Sequence, residues 1–395
     1  MAVKKHVLIV GGGFGGVKTA LDLSELDDLE ITVVSDRPDF RYYPSLYHVA
    51  TGAPTELSSI PLEFLFKDKN VNLIQATATK IDRKAQELIL NTGKKIKYDD
   101  LVLALGVNTN YFGIQGLQEF SYGIKSIEEA NELKAHLHRQ LLDDMKPDLN
   151  YIIVGGGPTG IELAGELPAY LHHIMKKHGI RDRKVHVDLV EAFPQLLPRM
   201  PKKVGKAVAR QLRNVGVKLY LNSKVEGETA DALLVDGKSL SSHTVIWTAG
   251  IANSTFFSDN QFVITDHHKV AVNEYLEAEP HIYVIGDNAD TKYSGMAQTA
   301  IYDAEFISHN FRFESQHSPR LNYRPKKPIY VIPAGPHWAA VEWGKVHIYG
   351  WLGWFLREAG DLVAFHDLEP VLEAGGQWLN EFRHDDECKT CGVAK

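Results

Sequence analysis

Two glycine-spaced stretches carry the clearest chemistry in the sequence. Gly11-x-Gly13-x-x-Gly16, with Phe14 and Gly15 inside it, follows the apolar run His6-Val7-Leu8-Ile9-Val10 and opens a helix-like stretch. Gly155-x-Gly157-x-x-Gly160, with Pro158 and Thr159 inside it, repeats the arrangement 144 residues later. The spacing has a mechanical meaning. The first glycine makes a tight strand-to-helix turn, the second lets backbone approach a pyrophosphate, and the third lets helix and strand pack closely. The helix N-terminus then attracts the phosphate charge. Each stretch is therefore expected to cradle a dinucleotide.

The residues that follow refine the expectation. In the second unit the next strand ends at Glu191, an acid suited to accept from ribose 2′- and 3′-hydroxyls and to repel a 2′-phosphate. No basic residue follows until Arg199, so NADH is favoured over NADPH. In the first unit the corresponding position is Ser35, with Asp36 one residue later, and either can hold the ribose. Gly286-Asp287 follows a third apolar strand, where an Asp is placed to hold the ribityl chain of FAD; the bland alternative is a turn. Two cradles in one chain make sense if a nicotinamide must be stacked on a flavin for hydride transfer. Non-covalent FAD and substrate NADH are the implied ligands.

These motifs need strands and helices to hold them. Each glycine turn lies between an apolar, buried-type strand and a helix, and a second strand follows at Ile31–Val34 and at Val185–Val190. Residues 71–105 alternate strands with turns and end in Leu101-Val102-Leu103-Ala104-Leu105-Gly106, echoed by Val245-Ile246-Trp247-Thr248-Ala249-Gly250. Gly106 and Gly250 thus join the cofactor-binding candidates. The expected fold is α/β, with two Rossmann-like dinucleotide-binding domains and a C-terminal section. The FAD domain (1–110 and 252–320) is interrupted by the NADH domain (111–251), and the C-terminal section covers 321–395.

Composition narrows the class. The chain of 395 residues is 44% hydrophobic and 24% charged, with a net charge of −7 that gives no case for nucleic acid as a partner. The only two cysteines, Cys388 and Cys391, lie in the last eight residues, which excludes a disulfide framework in the body and points to a reducing compartment. The first strand begins almost at once, leaving no room for a signal or transit peptide, and no apolar run is long enough to span a membrane. The expected location is cytoplasmic, with attachment to the cytoplasmic face of the membrane left open.

Beyond the glycine turns, residues 1–310 resemble the type II (non-proton-pumping) NADH dehydrogenases, single-subunit NADH:quinone oxidoreductases. The resemblance rests on Tyr43-Pro44-Ser45-Leu46-Tyr47-His48-Val49-Ala50-Thr51-Gly52, on Asn108–Ile114 with Gly116, on Gly157-Pro158-Thr159-Gly160-Ile161-Glu162-Leu163-Ala164-Gly165-Glu166-Leu167, and on Ala297-Gln298. It implies that hydride passes from NADH to FAD and two electrons then pass to a membrane quinone. It also implies that Glu162 sits near the nicotinamide, to position it or relay protons. The alternative for Glu162 is a helix-start acid favoured by the dipole. Ala297 and Gln298 are expected beside the flavin and quinone, though a locally satisfied glutamine is the alternative. The family commonly has a second glutamine four residues on; here Tyr302 stands instead, which alters the expected quinone site. Tyr42, Tyr43 and Tyr47 can line the pocket or belong to the core. Sulfide:quinone oxidoreductases share the fold but need redox cysteines beside the flavin, and none occurs before Cys388.

The C-terminal section is rich in tryptophan: Trp338, Trp343, Trp351, Trp354 and Trp378. Leu368, Val371, Leu372, Trp378, Leu379 and Phe382 recur at helical spacing. By resemblance this region lies on a membrane surface; packing on the body or a homodimer interface are the alternatives. Residues 320–383 hold seven basic and seven acidic residues, so no basic patch attracts anionic lipid. Cys388-x-x-Cys391, with His384 and Asp385 nearby, could ligate zinc only with further ligands, and a mobile tail with no metal is the expectation. Two other functions remain open: a soluble NADH-dependent flavin reductase with a different acceptor, and a redox-sensing flavin–NAD binding protein.

Overall fold

The computed structural model describes residues 4–142 and 150–366. Two parallel sheets organise it, each grown from one glycine turn. Strand β1 (Lys5–Val10) leads into helix α1 (Phe14–Leu23), and the chain returns in β2 (Leu29–Ser35), paired in parallel with β1 so that Val10 stands beside Val34. The sheet order is Glu277–Glu279, Ile282–Val284, Asp100–Leu103, β1, β2, Val71–Gln75. Val7, Leu8, Ile9, Val33, Val34, Leu101 and Val102 are fully buried. That explains why these strands read as unbroken apolar runs rather than alternating ones: helices and loops cover both faces.

The second unit repeats the first. Strand β3 (Asn150–Val154), helix α2 (Pro158–Lys177) and strand β4 (His186–Glu191) form another parallel crossover, with Val154 beside Val190. Its sheet runs Val217–Leu221, β4, β3, Thr244–Trp247. Each unit also carries a three-stranded antiparallel sheet, at residues 78–97 just before the strand Asp100–Leu103 and at 225–241 just before Thr244–Trp247. The chain crosses between the sheets twice, and the two crossings, Val107–Thr109 and Ile251–Asn253, pair antiparallel as a short ribbon.

After helix α3 (Ala297–Ser315) and an irregular stretch comes the antiparallel sheet Tyr330–Pro333, Ala339–Trp343, Val346–Gly350, followed by helix α4 (Trp351–His366). This unit sits directly on α2. A Cβ at Gly165 would lie 2.2 Å from the Gly335 amide nitrogen, so only glycine permits the approach. The helical pattern expected from Leu368 to Phe382, with Trp378, and the pair Cys388 and Cys391 with His384 and Asp385, lie outside the described residues.

Candidate active site

The glycine turns are built alike to within a few tenths of an ångström. Gly11 and Gly155 both have φ +119°, a left-handed conformation that a side chain would strain. Their amides donate to Val34 O at 2.8 Å and Val190 O at 2.9 Å, which ties each turn to the neighbouring strand. A Cβ on Gly16 would meet Gly11 O at 1.9 Å, and one on Gly160 would meet Gly155 O at 2.0 Å. At Gly13 and Gly157 the same construction meets nothing within 4 Å. Neither residue caps its helix with a side chain, and neither helix has an acid in its first turn. The first-turn amides therefore have no side-chain oxygen competing for them, which suits a pyrophosphate.

The acid position differs between the two. Glu191 accepts from Gly156 N at 2.6 Å and from Phe193 N at 2.8 Å, so its carboxylate is fixed at the lip of the turn. Ser35 occupies the matching place. Its Oγ accepts from Arg37 N at 3.2 Å, and a Cβ on Gly12 would meet that Oγ at 2.7 Å, as one on Gly156 would meet Glu191 Oε2 at 2.7 Å. Asp36 is exposed.

Gly106 and Gly286 end neighbouring strands of the first sheet, and Asn288 stitches them together. Its Oδ1 accepts from Gly106 N at 3.0 Å, and its Nδ2 donates to Gly106 O and Asn253 Oδ1, each at 2.6 Å. Asp303 on α3 accepts from Gly286 N at 2.9 Å and from Tyr323 OH at 2.5 Å; burial lifts its carboxyl to about 6. Asp287 is half-buried, and desolvation pushes its carboxyl up while Lys269 and Lys125 pull it down. Lys125 is itself lowered by burial. Sequence reasoning missed Asn288, Asp303 and Lys125. An Asn after Gly-Asp reads as turn chemistry, and nothing local distinguishes the other two. Two lysine side chains around a half-buried carboxyl group, beside uncapped helix amides and open glycines, fit a phosphate- and hydroxyl-bearing cofactor such as FAD.

Helix α2 comes over the segment 42–52. A Cβ on Gly52 would touch the Tyr170 ring at 2.8 Å, and Glu162 shares its surroundings with Arg357 and Asp361 of α4. Arg357 Nε pairs with Asp361 at 2.8 Å, its Nη2 donates to Pro44 O at 3.3 Å, and Tyr42 OH donates to Asp361 at 2.7 Å. Asp361 together with Tyr47, Tyr42 and Glu162 holds the guanidinium firmly charged. Desolvation lifts Glu162 to about 7 against the pull of Arg357. One turn on, Glu166 is also lifted to about 7 by burial and by Glu358. Tyr42 and Tyr47 are core residues, 1% and 3% exposed, whereas Tyr43 is 44% exposed. Gln298 lies on the first turn of α3 beside Ala297, and its Oε1 accepts from Ile329 N at 2.8 Å. Tyr302, one turn on, has the Lys326 ammonium 5.0 Å from its ring centre. Gly250 closes on Phe112, whose ring a Cβ there would meet at 2.4 Å.

Residues 5–304 match the pyridine nucleotide-disulphide oxidoreductase family. The chain is 30% identical over 302 residues to a type II NADH:quinone oxidoreductase of Staphylococcus haemolyticus, covering 72% of this chain and 74% of that one. It is 28% identical to the type II NADH:quinone oxidoreductase Ndh of Mycobacterium tuberculosis, covering 92% and 85%. The chain belongs to the type II NADH:quinone oxidoreductase family. Among solved structures, the fold is shared with NDH2 from Plasmodium falciparum in complex with NADH, at a TM-score of 0.83, 18% identity and coverage of 96% and 97%. It is also shared with the sulfide:quinone oxidoreductase of Aquifex aeolicus, at 0.74, 23% identity and coverage of 90% and 89%. Arg357 and Asp361 are the residues of the Glu162 cluster least visible to sequence reasoning, because only the folding back of α4 brings them to Glu162.

Proposed function

We infer that this chain oxidises NADH and reduces a quinone, with non-covalent FAD supplying, when bound, the carrier that takes up a hydride and gives up two electrons. The net reaction, NADH + H⁺ + quinone → NAD⁺ + quinol, draws one proton from the protein or the solvent. The unit 1–110 with 252–320 is assigned to FAD, 111–251 to NADH, and 321–395 to a C-terminal section that meets a membrane surface or a second copy, with Arg357 and Asp361 of its helix α4 beside Glu162.

In the first unit Gly11, Gly13, Phe14, Gly15 and Gly16 receive the pyrophosphate, and Ser35 bonds the adenosine ribose while exposed Asp36 stays at the mouth. Gly286 and Asp287 hold the ribityl hydroxyls, and Gly106 and Ala297 leave room for the ring. In the second unit Gly155, Gly157, Pro158, Thr159 and Gly160 receive the pyrophosphate of NADH, Glu191 its ribose, and Gly250 borders the nicotinamide. Glu162, protonated below about 7, holds the proton that quinone reduction consumes and orients the nicotinamide. The Gln298 carbonyl is engaged by Ile329, so its amide NH2 is the group free to donate to the quinone. Tyr302 flanks the same quinone.

The single observation that carries the reading is that the second turn of the second cradle's helix, with Glu162, shares one cluster with Tyr42 and Tyr47 of the first unit around Arg357 and Asp361. Steady-state NADH oxidation, measured with and without a soluble quinone on the yellow purified protein, tests it. Quinone-dependent turnover is expected; oxidation that quinone does not accelerate would favour a flavin reductase.

No helix among the described residues is long and apolar enough to cross a membrane. Trp343, Val346, Trp351, Leu352 and Phe355 are each more than half exposed on the last hairpin and the start of α4. These exposed apolar side chains, with Trp351 and Phe355 stacked on each other, support seating on the cytoplasmic surface of a membrane, where quinone dissolves. Flotation with neutral liposomes tests it. Protein that stays at the bottom but sediments as a homodimer would assign the face to a second copy instead.

A further inference from the structure

We infer that Phe193 is the platform on which the adenine of NADH stacks, a role that rests on the assignment of the second cradle to NADH. Four hydrogen bonds fix the loop after β4. Phe193 N donates to Glu191 Oε1 at 2.8 Å, Asn222 N to Phe193 O at 3.0 Å, Ser223 N to Glu191 O at 3.0 Å, and Leu197 N to Gly156 O at 2.9 Å. The backbone of Phe193 is thus tied to the same carboxylate that takes the ribose hydroxyls, and the loop is closed down on the glycine turn. Adenine leaves the ribose at C1′, next to the 2′-hydroxyl. A base on a ribose held by Glu191 lies within one sugar's width of this loop.

At that place the chain puts a phenyl ring that is 56% exposed on a braced backbone. A single exposed apolar side chain is ordinary on a protein surface. What separates Phe193 from that background is the duplication within the molecule. In the first cradle Arg37 holds the matching position, its N donating to the Ser35 side chain as Phe193 N does to Glu191. The guanidinium of Arg37 is 39% exposed and lies 3.3 Å from Glu128. Phenyl and guanidinium are both flat groups that stack on a purine without reading its edge. Both cradles therefore present a planar face two residues beyond the ribose-binding side chain.

Phe193→Ala and Phe193→Trp in the FAD-loaded enzyme test the proposal. Phe193→Ala should raise the KM for NADH and the inhibition constant of ADP-ribose together by about tenfold, leaving kcat unchanged. Phe193→Trp should restore both. Reduced nicotinamide mononucleotide, which lacks adenosine, should be turned over equally by wild type and Phe193→Ala, which also shows that the variant is folded. Unchanged NADH and ADP-ribose constants in Phe193→Ala, or an equal loss with the mononucleotide, would overturn the proposal. Wild-type protein that oxidises no NADH would end the parent assignment instead.

Discussion

The two cradles share a backbone and differ in what closes them. Gly11 and Gly155 adopt the same φ, and both glycine turns hang from the neighbouring strand by one amide. Glu191 then clamps the second turn with a carboxylate that accepts from Gly156, while the first turn has only the Ser35 hydroxyl at that place. The first cradle is instead buttressed from behind. Phe14 opens α1, is 6% exposed and packs edge-on against Phe40 at 4.9 Å, and Asp303 and Asn288 lock the Gly286 and Gly106 loops beside it. A resident cofactor suits a site held by many surrounding packing contacts. An exchanging substrate suits a site held by one acidic side chain that two backbone amides fix in place.

That contrast can be broken most severely at the close helix–turn contacts. Gly16→Val should give colourless or insoluble protein, because its side chain would displace Gly11 O. Gly160→Val should retain FAD yet lose about 1,000-fold or more in kcat/KM for NADH, since the pyrophosphate seat is lost. Flavin absorbance and steady-state kinetics distinguish the two. Loss of flavin from Gly160→Val would mean that the cradles are not independent.

A smaller effect is expected where the two units meet. Glu162→Gln should lower kcat by about 100-fold with quinone. Because Glu162 is lifted to about 7, wild-type kcat should fall as pH rises through 7, and the variant should lose that limb. An identical pH profile in both would remove Glu162 from proton delivery.

At the lips of the turns, Glu191→Gln should raise the NADH KM by about tenfold and narrow the preference over NADPH, with kcat little changed. Ser35→Ala should weaken FAD by no more than about fivefold, read by equilibrium fluorescence. A larger loss at Ser35 than at Glu191 would reverse the comparison.

The smallest effect concerns stability of the second unit. Glu228 is 7% exposed, its Oε2 is buried without a hydrogen-bond partner, and desolvation lifts it from 4.5 to about 8. The folded state keeps the proton to higher pH than the unfolded chain, so stability is lost as pH rises from about 4.5 towards 8. Glu228→Gln should flatten the fall in Tm between pH 6 and 9; an unchanged slope would assign it to other groups.

The cradles were legible because a strand, a glycine turn and a helix start are consecutive in sequence, and their chemistry follows from that spacing. Aligning the strand ends already put Ser35 at the acid position with Asp36 next to it, and the register of Val10 beside Val34 leaves Ser35 buried at the turn and Asp36 exposed. Glu162 stood out through a resemblance over Gly157–Leu167, but its partner Arg357 belongs to a different fold layer and is brought in only by α4. Gln298 reads in sequence as a contact of flavin and quinone or a locally satisfied glutamine, and its Oε1 accepts from Ile329 N, 31 residues on, which no local pattern announces. Local motifs could be read; groups assembled by chain reversal could not.

Anaerobic stopped-flow with the FAD-loaded enzyme tests the central claim most directly. Mixing with NADH should bleach the flavin absorbance near 450 nm (roughly, for an oxidised flavin), and a soluble quinone added next should restore it. Flavin that stays oxidised in excess NADH, or protein that cannot be loaded with FAD at all, would contradict two cradles working on one electron pair.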